Sequence, residues 1–400
     1  MNAKKKGLAP VAGFRFVGLA AGIKKKAGAL DLGAIVADHP VPTAAVFTRN
    51  RVKAAPVRLA ARRLRNLQAR AVLVNAGNAN AATGPAGEDA ALRTTALFAE
   101  ALGCAEGDVI PCSTGVIGHV LPIEPFERAM PELVAALGED ATTFSQAILT
   151  TDKGPKVAER TFRAQRRDYR VLAIGKGAGM IHPNMATTLA FAVTDAPLEG
   201  TALRAVLRAA TDATFNAISV DGDTSTNDTI VLMASGKAGG KPLTGPGERA
   251  FEAALTEALG EVAQAIVADG EGAEHVARIQ VEGLRSTKDA RKIAETIATS
   301  MLVKTAMHGC DPNWGRLLAA AGRAGVSFDP DQAEVTIGDV AIFRDGATLL
   351  DAATEKRAAA VMKRPRYSIT LRLGGGPGTA HYDTCDLGHA YVTLNADYRT

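Results

Sequence analysis

Short apolar runs and longer helix-spaced ones alternate along the first two thirds of this chain. Ala44-Ala45-Val46-Phe47-Thr48 and Ala71-Val72-Leu73-Val74-Asn75-Ala76 predict strands, the second ending at Gly77-Asn78. Gly84-Pro85-Ala86 reads as a chain break, after which Leu92, Ala96, Ala99 and Leu102 recur at helical spacing over 88–102. Val109 to Gly115 predicts a strand running into a glycine turn. A helix is expected over 125–137, with Pro125 in its first turn and Pro131 kinking or splitting it. Gln146-Ala147-Ile148-Leu149-Thr150-Thr151 reads as a strand leading to the polar Asp152-Lys153-Gly154-Pro155. Leu189 to Thr194 is short, apolar and bounded by Asp195, which fits a buried strand and puts Thr187 at its beginning.

A helix follows over 201–211, then a polar loop from Ser219 to Thr229 and the strand Ile230-Val231-Leu232-Met233. The longest helical pattern spans 249–268, and 289–308 reads as one further helix. Both carry alanine-rich faces suited to close packing on a sheet. Beyond about residue 320 the pattern changes. Glu334-Val335-Thr336-Ile337 and Tyr367-Ser368-Ile369-Thr370-Leu371 alternate as antiparallel strands do, with a helix over 351–364 between them and Asp351 as its N-cap. The expectation is an α/β main domain over 1–285, with a smaller α+β domain over 286–400.

Four hundred residues supply a sizeable core, and 47% hydrophobic with 22% charged residues is the balance of a globular protein. Aromatics make up only 4%, so Ala, Val, Leu and Ile must build that core. The formal charge of +4 is mild, and no basic groove interleaved with aromatics argues for nucleic acid. Arg62-Arg63 with Arg65, and Arg166-Arg167 with Arg170, read as solvated surface. No run is long enough for a membrane span, and Lys4-Lys5-Lys6 leads into no clean apolar segment. Cys104, Cys112, Cys310 and Cys385 are dispersed without metal-ligand spacing, which favours a reducing cytoplasmic setting.

Candidate chemistry centres on Thr187, in Gly179-Met180-Ile181-His182-Pro183-Asn184-Met185-Ala186-Thr187-Thr188, just after Gly175-Lys176-Gly177-Ala178-Gly179. A threonine whose own amino group is free can use it as base. Cleavage before Thr187 would provide that amine, with an unperturbed pKa of about 7.7. Ala186 leaves the attack path open, and the preceding residues carry no element-forming pattern. Taken alone, a threonine pair beside a turn is usually the start of an ordinary strand. Ser113-Thr114-Gly115-Val116-Ile117-Gly118 offers a backbone N–H from an unhindered glycine, and the Thr114 hydroxyl, to an oxyanion. The glycine-flanked Lys176 lacks the ending of a Walker loop; it is suited to approaching a carboxylate, or is simply a surface turn. Asp221-Gly222-Asp223-Thr224-Ser225-Thr226-Asn227-Asp228 lacks the twelfth-position glutamate of a calcium loop, so a hydrogen-bond network supporting a site is expected and no metal. Glu271, in Asp269-Gly270-Glu271-Gly272, could receive a substrate ammonium. His308, Cys310 and Asp311 are crowded in sequence as at a helix end, and no catalytic role is assigned to them.

These segments, in this order, closely resemble the ornithine acetyltransferase family, the self-cleaving enzymes of arginine biosynthesis, over nearly the whole chain. The resemblance is carried by Ala20-Ala21-Gly22-Ile23-Lys24, Phe47-Thr48-Arg49-Asn50, residues 113–118, Thr150-Thr151-Asp152, residues 177–187, residues 223–229, Asp269-Gly270-Glu271-Gly272, Asp311-Pro312-Asn313-Trp314-Gly315-Arg316 and the terminal Asn395-Ala396-Asp397-Tyr398-Arg399-Thr400. It implies a layered α/β (α+β) sandwich shared with self-cleaving aminopeptidases, and self-cleavage between Ala186 and Thr187. The α chain 1–186 and β chain 187–400 would pair into an α2β2 heterotetramer. Thr187 would take the acetyl group of N²-acetyl-L-ornithine and pass it to L-glutamate. Thr114 and Gly115 match the family's oxyanion-stabilising pair; Thr151, Lys176, Thr187, Glu271, Asn395 and Thr400 match its substrate contacts. No cofactor is implied. Members differ in whether acetyl-CoA also serves as donor, and these residues do not decide it. The chain departs from the family's pattern at Thr188, commonly methionine, at Glu274-His275, usually Thr-Lys, and at Gly388-His389, usually Thr-Tyr. Two other readings stay open on sequence: a self-cleaving aminopeptidase or amidase with the same nucleophile, and an uncut binding protein on the same scaffold.

Overall fold

The computed structural model describes residues 7–182 and 188–397. The chain opens with β1 (Phe14–Leu19), β2 (Leu32–Phe47), α1 (Ala55–Arg63), β3 (Gln68–Asn78), α2 (Gly84–Leu102), β4 (Val109–Val116), α3 (Glu124–Ala135), α4 (Thr142–Ala147), β5 (Lys156–Ala164) and β6 (Arg167–Lys176). Then come β7 (Leu189–Thr194), α5 (Gly200–Ala213), β8 (Ile218–Ser219), β9 (Thr229–Ala234), α6 (Pro246–Ala268) and β10 (Val276–Leu284). The last part holds α7 (Thr287–Ala298), α8 (Met301–His308), α9 (Trp314–Gly322), β11 (Glu334–Ile337), β12 (Val340–Arg344), β13 (Ala347–Thr348), α10 (Ala352–Met362), β14 (Arg366–Arg372), β15 (Gly378–Cys385) and α11 (His389–Asp397).

These strands make two sheets. The first has eight strands, in the order β4-β3-β2-β9-β7-β6-β5 with β1 also paired to β2; the second has seven, in the order β13-β12-β11-β14-β10-β15-β8. Every residue of β7 is buried, because both faces of the first sheet are covered. Ala190 and Ala192 face the core that α5 and α6 complete, while Leu189, Phe191 and Val193 face a second core with Phe144 of α4. The long α6 buries Phe251, Leu255, Leu259, Val262 and Ile266 at helical spacing, together with interspersed alanines. Val276 and Cys385 of the second sheet join that same core, so α6 is wedged between the two sheets. Small residues let it approach closely: a Cβ on Gly175 would lie 2.5 Å from Val262 Cγ1. The other side of the second sheet is covered by α7, α9 and α10. The architecture is thus mixed α/β with a smaller α+β part toward the C-terminus. No helix among the described residues is long and apolar enough to cross a membrane.

Four expectations are corrected. Gly84-Pro85 does not break the chain but starts α2, where the proline's missing N–H costs nothing. Pro131 neither splits nor ends α3, which runs through it with the ring exposed. The strand expected over 146–151 is the end of α4 and the turn after it. Asp140 holds the start of that helix by accepting from the Thr142 N–H and hydroxyl, at 2.9 and 2.6 Å. Phe144, Ala147 and Ile148 are then buried on one helical face. The single helix expected over 289–308 is two. Ser300 takes an extended conformation between α7 and α8, while the Thr299 hydroxyl donates back to the Glu295 carbonyl at 2.8 Å. The bend lets Val303 and Met307 join the core of the second sheet. Asp351 caps α10 as expected, accepting from Thr354 N at 2.7 Å.

Phe144 packs edge-on to Phe191 of β7, with ring centroids 5.3 Å apart. Phe144→Ala is expected to lower unfolding stability by about 3–5 kcal/mol through the cavity it leaves; urea denaturation of the two proteins measures this.

Candidate active site

Five strand ends converge at one edge of the first sheet: the last residues of β3, β4 and β6 and the first of β7 and β9. β3 and β4 run parallel and bring Asn78 beside Thr114 and Gly77 beside Gly115. Lys176 is the last residue of β6, paired with Leu189 of β7. β7 and β9 are parallel, so Thr188 and Asp228, each just ahead of its strand, lie together. The Thr188 N–H donates to Asp228 Oδ1 at 2.9 Å, and Thr229 N–H donates to the Thr188 carbonyl at 3.0 Å. Between these ends lies a cavity of about 340 Å³.

Thr114, Gly115, Thr151, Lys176, Glu271 and Asn395 all line that cavity. Ala186, Thr187 and Thr400 lie outside the described residues. Gly115 is not in open space, as the sequence suggested. Its φ is +133°, and a Cβ there would lie 2.3 Å from the Gly77 carbonyl carbon, so only glycine lets the two strands meet. The Gly175–Gly179 stretch is no surface turn. Lys176 is buried, its Nζ donating to Thr150 Oγ1 at 2.7 Å and to Thr114 Oγ1 at 3.2 Å. An ammonium only donates, so the Thr114 oxygen accepts and its own proton stays available. Glu271 is fixed through its N–H to the Ala178 carbonyl at 2.9 Å, and its carboxylate accepts from Asn395 Nδ2, also at 2.9 Å. That bond ties the exposed α11 to the cavity.

Several contributors were not singled out from sequence. Thr150, the neighbour of the expected Thr151, is the residue that touches Lys176. Asp152, its side chain fully buried, lies 3.9 Å from Lys176 Nζ and accepts from Lys156 Nζ at 2.6 Å. It also accepts from the N–H groups of Gly177 and Thr150, at 2.6 and 3.0 Å. Lys156 bridges on to Asp269. Burial pushes the Asp152 carboxyl up, but Lys176, Lys156 and these hydrogen bonds outweigh it and hold it at about 2. Burial pushes the Lys176 ammonium down, against the pull of Asp152. Asp228 is pushed well above the usual carboxylate range, again chiefly by burial. Tyr391 of α11 also lines the cavity.

The 221–228 loop is the hydrogen-bond scaffold the sequence suggested. Asp221 accepts from the N–H groups of Met180 and Ile181, at 2.6 and 2.9 Å. Met180 has a φ of +54°, a left-handed conformation that such bonds help maintain. The departures from the family's pattern are also accommodated. The Thr188 hydroxyl is occupied by the Lys176 carbonyl. The Glu274 and His275 N–H groups both donate to Asp386 Oδ1 at 2.9 Å. Gly388 makes room for the His308 ring, which a Cβ would approach to 2.3 Å. His308 itself pairs with Asp386 Oδ2 at 2.8 Å.

Asp152→Asn leaves Lys156 and Lys176 buried without their shared countercharge, and is expected to cost about 3–5 kcal/mol at neutral pH. The sign of the pH dependence follows from the depressed pKa. The contribution of Asp152 is complete above its unfolded value of about 3.9 and is lost as pH falls through about 2. Denaturation curves at pH 7 and at pH 2–3 should therefore show the wild-type advantage shrinking in acid.

The ArgJ family model matches residues 15–400. The arginine biosynthesis bifunctional protein ArgJ of Geobacter sulfurreducens is 48% identical over 395 residues, covering 98% of this chain and 100% of that protein. Its namesake from Chlorobaculum tepidum is 45% identical over 393 residues, covering 97% and 96%. A crystal structure of the arginine biosynthesis bifunctional protein ArgJ from Bacillus halodurans is 38% identical, covering 51% of this chain and 96% of that one, with a TM-score of 0.49. Full-length identity at this level places the chain in the ArgJ family, the ornithine acetyltransferases of arginine biosynthesis.

Proposed function

We propose that this enzyme transfers the acetyl group of N²-acetyl-L-ornithine to L-glutamate through an ester on Thr187, after cutting itself between Ala186 and Thr187. The observation that carries the reading is the meeting of Thr114, Gly115, Lys176 and Glu271 around one cavity, at the edge where the strand following residue 187 begins. Residues 1–285 supply most of the site, and 286–400 supply Asn395 and Thr400.

Scission begins as the Thr187 hydroxyl attacks the Ala186 carbonyl. The peptide C–N bond breaks as the ester forms, which frees the Thr187 amine, and water then hydrolyses the ester to give back the Thr187 hydroxyl and leave Ala186 with a carboxylate. In turnover that amine takes the hydroxyl proton as Thr187 Oγ adds to the acetyl carbonyl. The oxyanion is met by the Gly115 N–H and the Thr114 hydroxyl. The N²–acetyl bond breaks, the proton passes to the departing nitrogen, and ornithine leaves. The glutamate amine then attacks the ester, restoring the hydroxyl and giving N-acetyl-L-glutamate. Transfer prevails over hydrolysis when that amine is held nearer the ester than bulk water. Glu271 and Asn395 are the groups we assign to holding the substrate, with Thr151, Lys176 and Thr400. The α and β chains stay together and pair as α2β2. The first sheet supports their cohesion, because β7 and β9 lie between β2 and β6.

Intact-mass measurement of freshly made protein should resolve two chains, one beginning at Thr187. Thr187→Ala should remain whole and lose acetyl transfer by at least about a thousandfold, since the nucleophile is gone. A Thr187→Ala protein that still splits contradicts the assignment.

A further inference from the structure

Thr114 and Gly115 belong to the segment before the cut, and the proposed nucleophile belongs to the segment after it. Something must hold one against the other to a fraction of an ångström. The dipeptide Asn227-Asp228 touches both. Asp228 Oδ1 accepts the Thr188 N–H at 2.9 Å, fixing the residue next to Thr187. The buried Asn227 side chain faces the other way. Its Nδ2 donates to the carbonyls of Ser113 and Ala79, at 2.8 and 2.7 Å.

Those two carbonyls bracket the oxyanion pair. The Ser113 carbonyl belongs to the peptide unit leading into Thr114, so fixing it fixes that plane. Ala79 donates its own N–H to the Val116 carbonyl at 3.0 Å, on the far side of Gly115. One amide group therefore grips the Thr114-Gly115 end of β4 from both flanks. The amide is itself oriented: Thr226 Oγ1 donates to Asn227 Oδ1 at 2.6 Å, leaving the nitrogen for the carbonyls.

We infer that Asn227 is a positioning residue that sets the oxyanion donors against the Thr187 hydroxyl, in self-cleavage and in acetyl transfer alike. This rests on the proposed function above. Both reactions pass through a tetrahedral oxyanion at the same hydroxyl, so an error in this spacing slows both by a common factor. Displacement by about 1 Å is enough to cost on the order of a hundredfold. Asn227 and Thr226 also line the cavity, but the Asn227 amide is spent on the two carbonyls, and the groups assigned to holding substrate, Glu271 and Asn395, are left alone.

The test uses wild type, Asn227→Ala and Thr226→Val. The first variant removes the amide; the second keeps the shape of the side chain but frees the amide to turn. Self-cleavage of freshly translated chain is followed by intact mass, and acetylation of the mature enzyme by single-turnover quench over a range of acetylornithine concentrations. Asn227→Ala is expected to slow both maximal rates by about 10- to 100-fold, with half-saturating acetylornithine within about threefold of wild type. Thr226→Val is expected to slow both by a smaller common factor, about 3- to 10-fold. Unchanged maximal rates, or a loss confined to half-saturation, overturn the inference. Should Asn227→Ala fail to fold, Thr226→Val decides by the same criteria. A wild type that cleaves but transfers no acetyl overturns the proposed activity; the cleavage rates, which need no substrate, then decide the role of Asn227.

Discussion

The strand order of the first sheet is the constraint on which the rest depends. β7 and β9 come from the chain after residue 187, and they sit at the centre of the sheet with β2 on one side and β6 on the other. The register runs from Thr43 opposite Met233 to Phe47 opposite Thr229, and from Val171 opposite Thr194 to Lys176 opposite Leu189. Removing the later strands would strip two ladders of buried backbone hydrogen bonds and expose both cores at once. A cut at 186/187 therefore leaves the two chains locked together. The interleaving also requires the chain to fold before it is cut, since the centre of the sheet is filled only when both segments are present.

The same interleaving creates the site. Strands from both segments end at one edge, and their last or preceding residues carry the polar groups: Thr114 and Lys176 from one segment, Thr188 and Asp228 from the other. Polar groups at this depth need partners. Asp152 supplies them for Lys156 and Lys176, and in doing so holds Lys176 against Thr114 and Thr150. Loop 224–228 is sewn to the earlier segment in a comparable way. Thr48 donates its N–H to the Asp228 carbonyl at 2.9 Å and its hydroxyl to the Ser225 carbonyl at 2.8 Å. Ala54 N–H reaches the Thr226 carbonyl at 3.0 Å. Buried electrostatics here both stabilise the joint and position the groups around the cavity.

Much of this was legible in the sequence, and the gaps have physical reasons. Leu189–Thr194 and Ala71–Ala76 could be read as strands because a buried strand needs an unbroken apolar run. Ala147-Ile148-Leu149 was misread as part of a strand, because three apolar residues fit either period and the deciding contact, the Asp140 cap, is a side-chain choice. The break at Ser300 was hidden because apolar spacing continues on both sides of it. Thr114, Gly115, Lys176 and Glu271 were singled out by their chemistry and given roles by the ordered resemblance, which alone named Asn395; periodicity and spacing carry no sign that residues so far apart share a cavity. Lys156 went unread, and Asn227 was read only as part of a supporting loop, for the same reason: their importance lies in partners distant in sequence, Asp269 for one and Ser113 for the other.

The account turns on where the acetyl group resides between donor and acceptor. Mature enzyme mixed with acetylornithine in the absence of glutamate, quenched in acid and digested for peptide mass mapping, answers this directly. The acetyl mass should be found on the peptide that starts at residue 187 and should vanish when glutamate is added before the quench. Acetyl groups found only elsewhere, or none on that peptide while acetylglutamate is still produced from the mixture, would contradict it.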